Sequence, residues 1–535
     1  MTAVTSGGSR GDARVDAIVA DMAAQRGDAI ALVSEAGARI TYRALAAAID
    51  AQAQVLREYG IGAGDRVLLV GESTADMIVW LFAAVRAGAW AVPVNARLAG
   101  GEIDAIRAHC EPRAVYFSSA SPEALAHALA HAERIDARSK AKSPRLLRFR
   151  PPLPNGDAAA TEDVAAGDFL LLDHTAPRVF DDDVAVMIYT SGSTGQPKGV
   201  MLTHRNLTFI AGVTAQLGSL QPEDRIYFAL PISHSYGLTS VLLCGLQAAA
   251  TLYPAPRFAA ERLVNALRNE GITVFQGVPA MYARLVEWAQ AHGNSIGPHR
   301  LRLAYIGGSM IDPARKAAAE QLLGLRLHHG YGLTEAAPSV TRTLGAAAPA
   351  DTSVGWPLPG VEVRLRAADG TDVPLDSRAE GELLVRGPNV MKGYFRDPQQ
   401  TRKAVDAEGW LHTGDLARRG ANGDLTIVGR IKELIIRNGF NVYPAEVERA
   451  INAFGGVAQC AVVGRAHDGD EEVVAFIEPL AGQPIDTAAL RAYLRTQLAP
   501  YKIPGRMIVM ERLPASGTGK VLKAALVERA GAMPG

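Results

Sequence analysis

Residues 189–199 read Tyr-Thr-Ser-Gly-Ser-Thr-Gly-Gln-Pro-Lys-Gly and follow an apolar run, residues 184–188, that has the texture of a strand. The hydroxyls of Thr190, Ser191, Ser193 and Thr194, the backbone at Gly192, Gly195 and Gly199, and the ammonium of Lys198 are the kinds of group that wrap phosphate oxygens. A glycine-rich stretch is more often a plain surface loop, but eleven consecutive positions of this kind weigh against that reading here. The run is also not the GxxxxGK[ST] phosphate loop, because Pro197 precedes Lys198 and Gly199 follows it. The spacing therefore excludes P-loop NTPases and the kinases built on that loop.

Five further blocks follow in order: Tyr331-Gly332-Leu333-Thr334-Glu335; Gly381-Glu382-Leu383 through Arg386-Gly387 to Gly393-Tyr394; Thr413-Gly414-Asp415; Gly429-Arg430-Ile431-Lys432-Glu433; and residues 514–520, where Lys520 follows Gly517 and Gly519. With residues 189–199 they resemble the motifs of the adenylate-forming superfamily: acyl-CoA synthetases, peptide-synthetase adenylation domains and beetle luciferases. The matches run from residue 40 to residue 523, nearly the whole chain.

The resemblance implies ATP, Mg²⁺ and CoA as co-substrates and cofactor, and a small carboxylic acid as partner. Attack of the carboxylate on the α-phosphate of ATP gives an acyl-adenylate and pyrophosphate, after which a thiol takes the acyl group. Bringing anions together demands cations and aligned donors where charge accumulates. By the resemblance, the loop with Lys198 holds the β- and γ-phosphates and Glu335 binds Mg²⁺, an oxygen donor of the type that ion prefers. Thr334 donates to the α-phosphate. Asp415 takes both ribose hydroxyls, with Arg430 beside it; Tyr331, flanked by Gly330 and Gly332, stacks on adenine, with His329 just before. Lys520 bridges the carboxylate and the α-phosphate. His234, in residues 230–238, stands where the family has an aromatic gate to the carboxylate site, although a single histidine in an apolar stretch is more often structural.

The acid pocket is expected from Tyr236, Ser240, Gly308 and Ser309 with neighbouring segments, and it suits a medium- to long-chain fatty acid or an aromatic acid. CoA is favoured as acceptor because no carrier module is attached, because Gly439 and Phe440 resemble the hairpin lining a pantetheine tunnel, and because Arg257 stands where plant aryl-CoA ligases carry a basic residue near the nucleotide of CoA. Ile436, where aryl-CoA ligases have a second lysine, and His329, in place of an amide, depart from that branch. Two alternatives stay open: an AMP ligase that loads a carrier protein, and a non-catalytic acyl- or nucleotide-binding module.

The elements that must position these residues are those of an α/β protein. Helical spacing over residues 41–58, a buried strand at 66–70, a helix at 75–87 and a strand at 90–94 make a βαβ unit and hence a parallel sheet. Similar alternation returns at 226–230, 260–268, 273–275, 281–291 and 301–306. Beyond residue 359 short strands with glycine turns predict a small β-barrel-like subdomain. Asn438-Gly439 between two apolar runs predicts a hairpin. Helices and strands from 444 to 510 complete a small α+β unit. We divide the chain into a flexible tail (1–14), an AMP-binding N-terminal domain (15–430) and a C-terminal domain (431–535), which by resemblance is mobile and swings about a hinge at Lys432. Residues 139–180 have a basic run and weak periodicity and receive no assignment.

Composition narrows the classes. The 535 residues carry 55 Lys+Arg and 55 Asp+Glu, a formal net charge of zero, which gives no electrostatic reason to expect nucleic acid or an anionic membrane. With 48% hydrophobic and 21% charged residues the chain is not disordered. The most apolar stretch, residues 77–94, is interrupted by Arg86, Gly88 and Pro93, so no transmembrane segment is expected. Cys110, Cys244 and Cys460 lack CxxC spacing and favour a reducing cytoplasm. Oligomeric state is open, a homodimer among the options.

Overall fold

The helix Ala75–Arg86 has no polar face: every residue from Asp76 to Val85 is buried. A helix apolar all round must be enclosed on all sides, and in the computed structural model its side chains join one core with residues of two large sheets. Its one buried acid, Asp76, accepts hydrogen bonds from the hydroxyls of Tyr116 (2.8 Å) and Ser118 (2.6 Å). The model describes residues 14–136, 145–149, 168–191, 197–343, 353–375, 377–437, 440–467, 470–480, 482–515 and 521–533. Gly192, Ser193, Thr194, Gly195, Gly439, Lys520 and the side chain of Ser191 lie outside the described residues.

The first sheet has eight strands. Its centre is parallel: Ala114–Phe117, Arg66–Gly71, Trp90–Asn95 and Val184–Ser191 lie side by side. Pro197–Thr203 and Gly393–Tyr394 continue it antiparallel on one edge. On the other edge lie Asp168–Leu172 and Arg145–Phe149, also antiparallel. These last two fall in the region left unassigned by sequence. They are short edge strands of five residues each that pair antiparallel, so the sequence signature of a parallel βαβ unit does not mark them.

The second sheet has nine strands. Ile30–Val33, Thr251–Pro254, Arg225–Phe228, Val274–Gly277, Leu303–Ile306 and Leu327–Gly332 form its parallel block. Arg39–Thr41 at one end and Ser339–Arg342 and Trp356–Pro357 at the other run antiparallel. Chain leaving the carboxyl ends of a parallel block is the usual place for a ligand site, and residues 229–235, 307–310 and 333–335 all emerge there.

The elements expected from periodicity are present with small shifts at their ends. The first helix expected is Tyr42–Glu58, with the Thr41 hydroxyl accepting from the Ala44 amide at 3.1 Å as its N-cap. The sequence pattern does not predict Tyr236–Leu243, a π-helix buried along its whole length. Wider turns of this kind recur at functional sites.

The barrel-like subdomain takes the form of a four-stranded antiparallel sheet, Glu362–Arg366, Gly381–Arg386, Leu411–Arg419 and Leu425–Arg430 in spatial order. The hairpin Ile435–Arg437/Phe440–Val442 follows. The last sheet is Val457–His467, Asp470–Pro479 and Arg506–Val509. The helices Pro444–Asn452 and Thr487–Gln497 share one core with it, and the helix Lys523–Gly531 shares another. No helix among the described residues is long and apolar enough to cross a membrane.

Candidate active site

Lys198 begins the site. It sits second in the strand Pro197–Thr203, opposite Thr190 on Val184–Ser191, so the antiparallel pairing holds the two residues side by side. The ammonium of Lys198 lies 5.1 Å from the ring centroid of Tyr394 and 3.4 Å from Oε1 of Gln400. No carboxylate of the described residues pairs with it, which leaves its charge for an anion.

Tyr394 connects that lysine to Glu335. Its hydroxyl donates to Glu335 Oε1 at 2.9 Å, and burial together with the nearby carboxylate pushes the Tyr394 phenol up, keeping it a donor. Glu335 lies in a 3₁₀ turn, Thr334–Ala336, directly after the strand Leu327–Gly332. Its backbone carbonyl accepts from the Met391 amide at 2.8 Å. Glu335 has no Lys or Arg partner among the described residues, so its carboxylate is available to a hard cation. Beside it, Thr334 is buried and its Oγ1 accepts from Ser235 Oγ at 3.3 Å. Ser235 is the residue after His234, whose Nδ1 accepts the Tyr236 amide at 3.3 Å.

Tyr331 reaches the second half of the site. Its hydroxyl donates to Asp415 Oδ2 at 2.5 Å while Arg430 Nε donates to Oδ1 at 2.8 Å. Asp415 and Arg430 are register partners on adjacent antiparallel strands, which explains their pairing. Burial and then the Asp415 charge push the Tyr331 phenol well up. Burial alone would lower the Arg430 guanidinium, yet Asp415 and Glu433 more than offset it. Each carboxylate oxygen keeps a second lone pair, so Asp415 can still accept two further hydroxyls. The flanking glycines are steric necessities: a Cβ on Gly330 would lie 2.7 Å from the Thr341 carbonyl oxygen, and one on Gly332 2.1 Å from that of Pro338.

His329 is buried, which pulls its imidazole down to about 4 and keeps it neutral. Tyr236 and Ser240 lie on the π-helix, with Ser240 Oγ 3.2 Å from Ser339 Oγ. Gly308 (φ +84°) and Ser309 are exposed after the strand Leu303–Ile306. Arg257 is held in an acidic cluster, pairing with Glu72 at 3.4 Å and with Glu123, while Arg97 also takes Glu72 at 2.7 Å. Phe440 stacks on Tyr501 with centroids 4.6 Å apart and remains half exposed. Lys432 is exposed in the 3₁₀ turn Ile431–Glu433.

Sequence reasoning assigned no role to Tyr394, Ser235 or Gln400. Tyr394 closes the block that begins at Gly381, and that motif is the signal that marks it. Ser235 and Gln400 carry no local signal, because their partners lie 99 and 202 residues away.

Comparison with known proteins shows the family of the chain. The family model described as AMP-binding enzyme matches residues 19–395, and that of the AMP-binding enzyme C-terminal domain matches residues 446–520. A feruloyl-CoA synthase of Amycolatopsis sp is 36% identical over 502 residues, 93% of this chain and 96% of the relative. An indoleacetate–CoA ligase of Aromatoleum aromaticum is 33% identical, with 90% and 92% covered. Among solved structures, ATP-bound MatB from Rhodopseudomonas palustris is 29% identical with a TM-score of 0.79, covering 96% of this chain and 99% of that one. The o-succinylbenzoate coenzyme A synthetase MenE of Bacillus subtilis, in complex with ATP and magnesium ion, is 25% identical with a TM-score of 0.78, covering 96% and 99%.

Proposed function

The chain belongs to the AMP-binding enzyme family, and from that premise we propose how its residues divide the work of an ATP-dependent acid–CoA ligase. Its relatives are named as CoA ligases or synthases, and MenE of Bacillus subtilis has been solved with ATP and magnesium ion and with its acyl-adenylate intermediate. The observation that carries the residue assignments is one connected set of contacts: Lys198 to Tyr394 to Glu335, then along the chain through Thr334 to Tyr331, Asp415 and Arg430.

In this reading Lys198 and the backbone and hydroxyls around it hold the outer phosphates. Glu335 would hold Mg²⁺, which neutralises phosphate charge when bound; one carboxylate plus substrate oxygens is a common environment for that ion. Thr334 and Tyr331, fixed by Ser235 and Asp415, orient the α-phosphate and the adenosine. The acid oxygen attacks the α-phosphorus and the bond to pyrophosphate breaks. Lys520, assigned by resemblance, stabilises the charge built up between carboxylate and phosphate. The thiol of CoA then attacks the acyl carbon and AMP leaves. His234 guards the carboxylate site, Tyr236, Ser240, Gly308 and Ser309 line the acid pocket, Arg257 and the hairpin with Gly439 and Phe440 face CoA, and residues 431–535 turn about Lys432 between the two steps. The acid is aromatic or fatty; the free thiols Cys110, Cys244 and Cys460, all buried, suit a cytoplasmic setting.

The test is mass spectrometry of products after incubating the protein, ATP, Mg²⁺ and CoA with C2–C18 and aryl acids. Acyl-CoA with AMP supports the reading. Acyl-adenylate accumulating with CoA untouched would move the acceptor to a carrier protein, and no AMP from any acid would favour a binding module. Lys520→Ala should abolish adenylate formation and spare thioester formation from supplied acyl-adenylate; equal loss in both would overturn its role.

A further inference from the structure

Arg342 is a buried cation close to Tyr236 and Ser240, two residues proposed to line the acid pocket, and no carboxylate of the described residues meets it. It closes the strand Ser339–Arg342, opposite Gly330, and is 5% exposed. Its guanidinium carbon lies 3.9 Å from the centroid of the Tyr305 ring. No carboxylate of the described residues is within ion-pair distance, and Nη1 makes only a long 3.4 Å contact with the Thr214 carbonyl. A ring face offsets part of a buried positive charge. It does not satisfy the five donors of a guanidinium.

Two polar atoms near Arg342 have no partner among the described residues. The ring of Tyr305 is 6.4 Å from that of Tyr236, which lies against Gly307. The Tyr236 hydroxyl is buried with no partner among the described residues. Gln276 is 1% exposed; its Nε2 donates to the Ser240 carbonyl at 2.8 Å, which fixes the amide, and leaves Oε1 buried and unpartnered. Ser240 meets Ser339, on the same strand as Arg342. Around Tyr305 and Ser240 the described residues thus gather a cation with no carboxylate partner, a buried phenol and a buried amide oxygen, the last two without hydrogen-bond partners. Buried polar atoms in native proteins nearly always have partners, from protein, water or ligand. A plain alkyl tail would leave all three unmet.

We propose that the acid taken by this protein carries a second oxygen function, anionic or strongly hydrogen-bond accepting, at the end remote from the reacting carboxylate, and that Arg342 receives it. Tyr236 donates to the same group or to a water bridging to it, and Gln276 accepts from a bound hydroxyl or water. The inference rests on the acid–CoA ligase reading and narrows it: simple fatty acids become poor substrates, and dicarboxylic or ring-hydroxylated acids good ones. A pocket built to bond an oxygen group rejects the analogue lacking it far more sharply than a greasy pocket rejects one methylene.

The experiment compares matched pairs, octanedioic with octanoic acid and 4-hydroxycinnamic with cinnamic acid, by kcat/KM for AMP release with full-length protein and its Arg342→Met and Arg342→Lys variants. We expect the unaltered protein to favour the oxygen-bearing member of at least one pair tenfold or more. Arg342→Met should collapse that ratio towards one, and Arg342→Lys should restore part of it. Preference for the plain member in both pairs, or equal loss on both members in Arg342→Met, would overturn the assignment. If Arg342→Met fails to fold, the preference of the unaltered protein and the Lys variant still decide. AMP from no acid at all would instead strike the ligase reading, and this inference with it.

Discussion

The phenol of Tyr394 donates a 2.9 Å hydrogen bond to Oε1 of Glu335 while its ring lies 5.1 Å beneath the Lys198 ammonium. One side chain therefore sets both the proposed magnesium ligand and the proposed phosphate cation. Tyr394 lies in a two-residue edge strand paired to the strand of Lys198, which brings the two side chains together.

Removing only the hydroxyl separates these two roles. Tyr394→Phe keeps the ring under Lys198 and frees Glu335. A hydrogen bond to a charged group contributes about 1.5–3 kcal/mol, so the Mg²⁺ concentration giving half-maximal pyrophosphate release should rise roughly 10- to 100-fold. The KM for the acid should not move. A change in acid KM with no change in the Mg²⁺ requirement would remove Tyr394 from this position.

Asp415 already holds Tyr331 and Arg430, so altering it should do more than delete a ribose contact. Asp415→Asn is nearly isosteric but carries no charge and loses one acceptor oxygen. The KM for ATP is expected to rise on the order of 10-fold or more, with a smaller drop in kcat for acids already bound. Because Arg430 loses the carboxylate it is hydrogen-bonded to, unfolding in denaturant should also shift to lower concentration. An unchanged KM for ATP would sink the ribose assignment.

Much of this site was legible as motifs, and the reason is physical. Gly330 and Gly332 leave no room for a Cβ, and Asp415 and Arg430 face each other in fixed register. Constraints of that sort are written locally. Periodicity likewise gave the βα units of both large sheets. What stayed hidden depends on distant partners. Ser235 supports Thr334 across 99 residues, and Arg342 meets Tyr305 through a ring contact that no spacing rule encodes. The π-helix Tyr236–Leu243 and the edge strands Arg145–Phe149 and Asp168–Leu172 were missed because neither carries the 3.6-residue or βα pattern that periodicity detects.

Two buried histidines predict how stability depends on acid. Burial lowers both His204 and His329 from 6.5 to about 4, and His204 Nδ1 accepts the Val15 amide at 3.1 Å, a bond that requires that nitrogen to be unprotonated. Below pH 6.5 the unfolded chain binds a proton at each imidazole and the folded chain does not. Stability is thus fully present above about pH 6.5, falls as pH drops, and levels off below about 4, each residue withdrawing on the order of 3 kcal/mol at most. Chemical denaturation at pH 7.5, 6.5, 5.5 and 4.5 reads this directly. His204→Gln should flatten the slope by about one proton; an unaltered slope would show that His204 is not the group titrating.

The last prediction concerns the joint between the two parts of the chain. Arg315, on the helix Pro313–Leu323, donates to the carbonyls of Val457 (3.1 Å) and Ala458, at the start of the strand Val457–His467. If residues 431–535 turn between adenylation and thioester formation, these bonds belong to one orientation and must break to reach the other. Arg315→Ala removes them without touching any group assigned to ATP, acid or CoA. The two half-reactions should then change in opposite senses, by roughly 3- to 10-fold each, the size expected for one or two partly exposed hydrogen bonds. Single-turnover measurement of pyrophosphate release, and separately of thioester formation from supplied acyl-adenylate, gives both rates. Opposite shifts identify Arg315 as a latch that biases the resting orientation. Equal shifts in the same sense would mean that the contact steadies the fold and has no part in the turn.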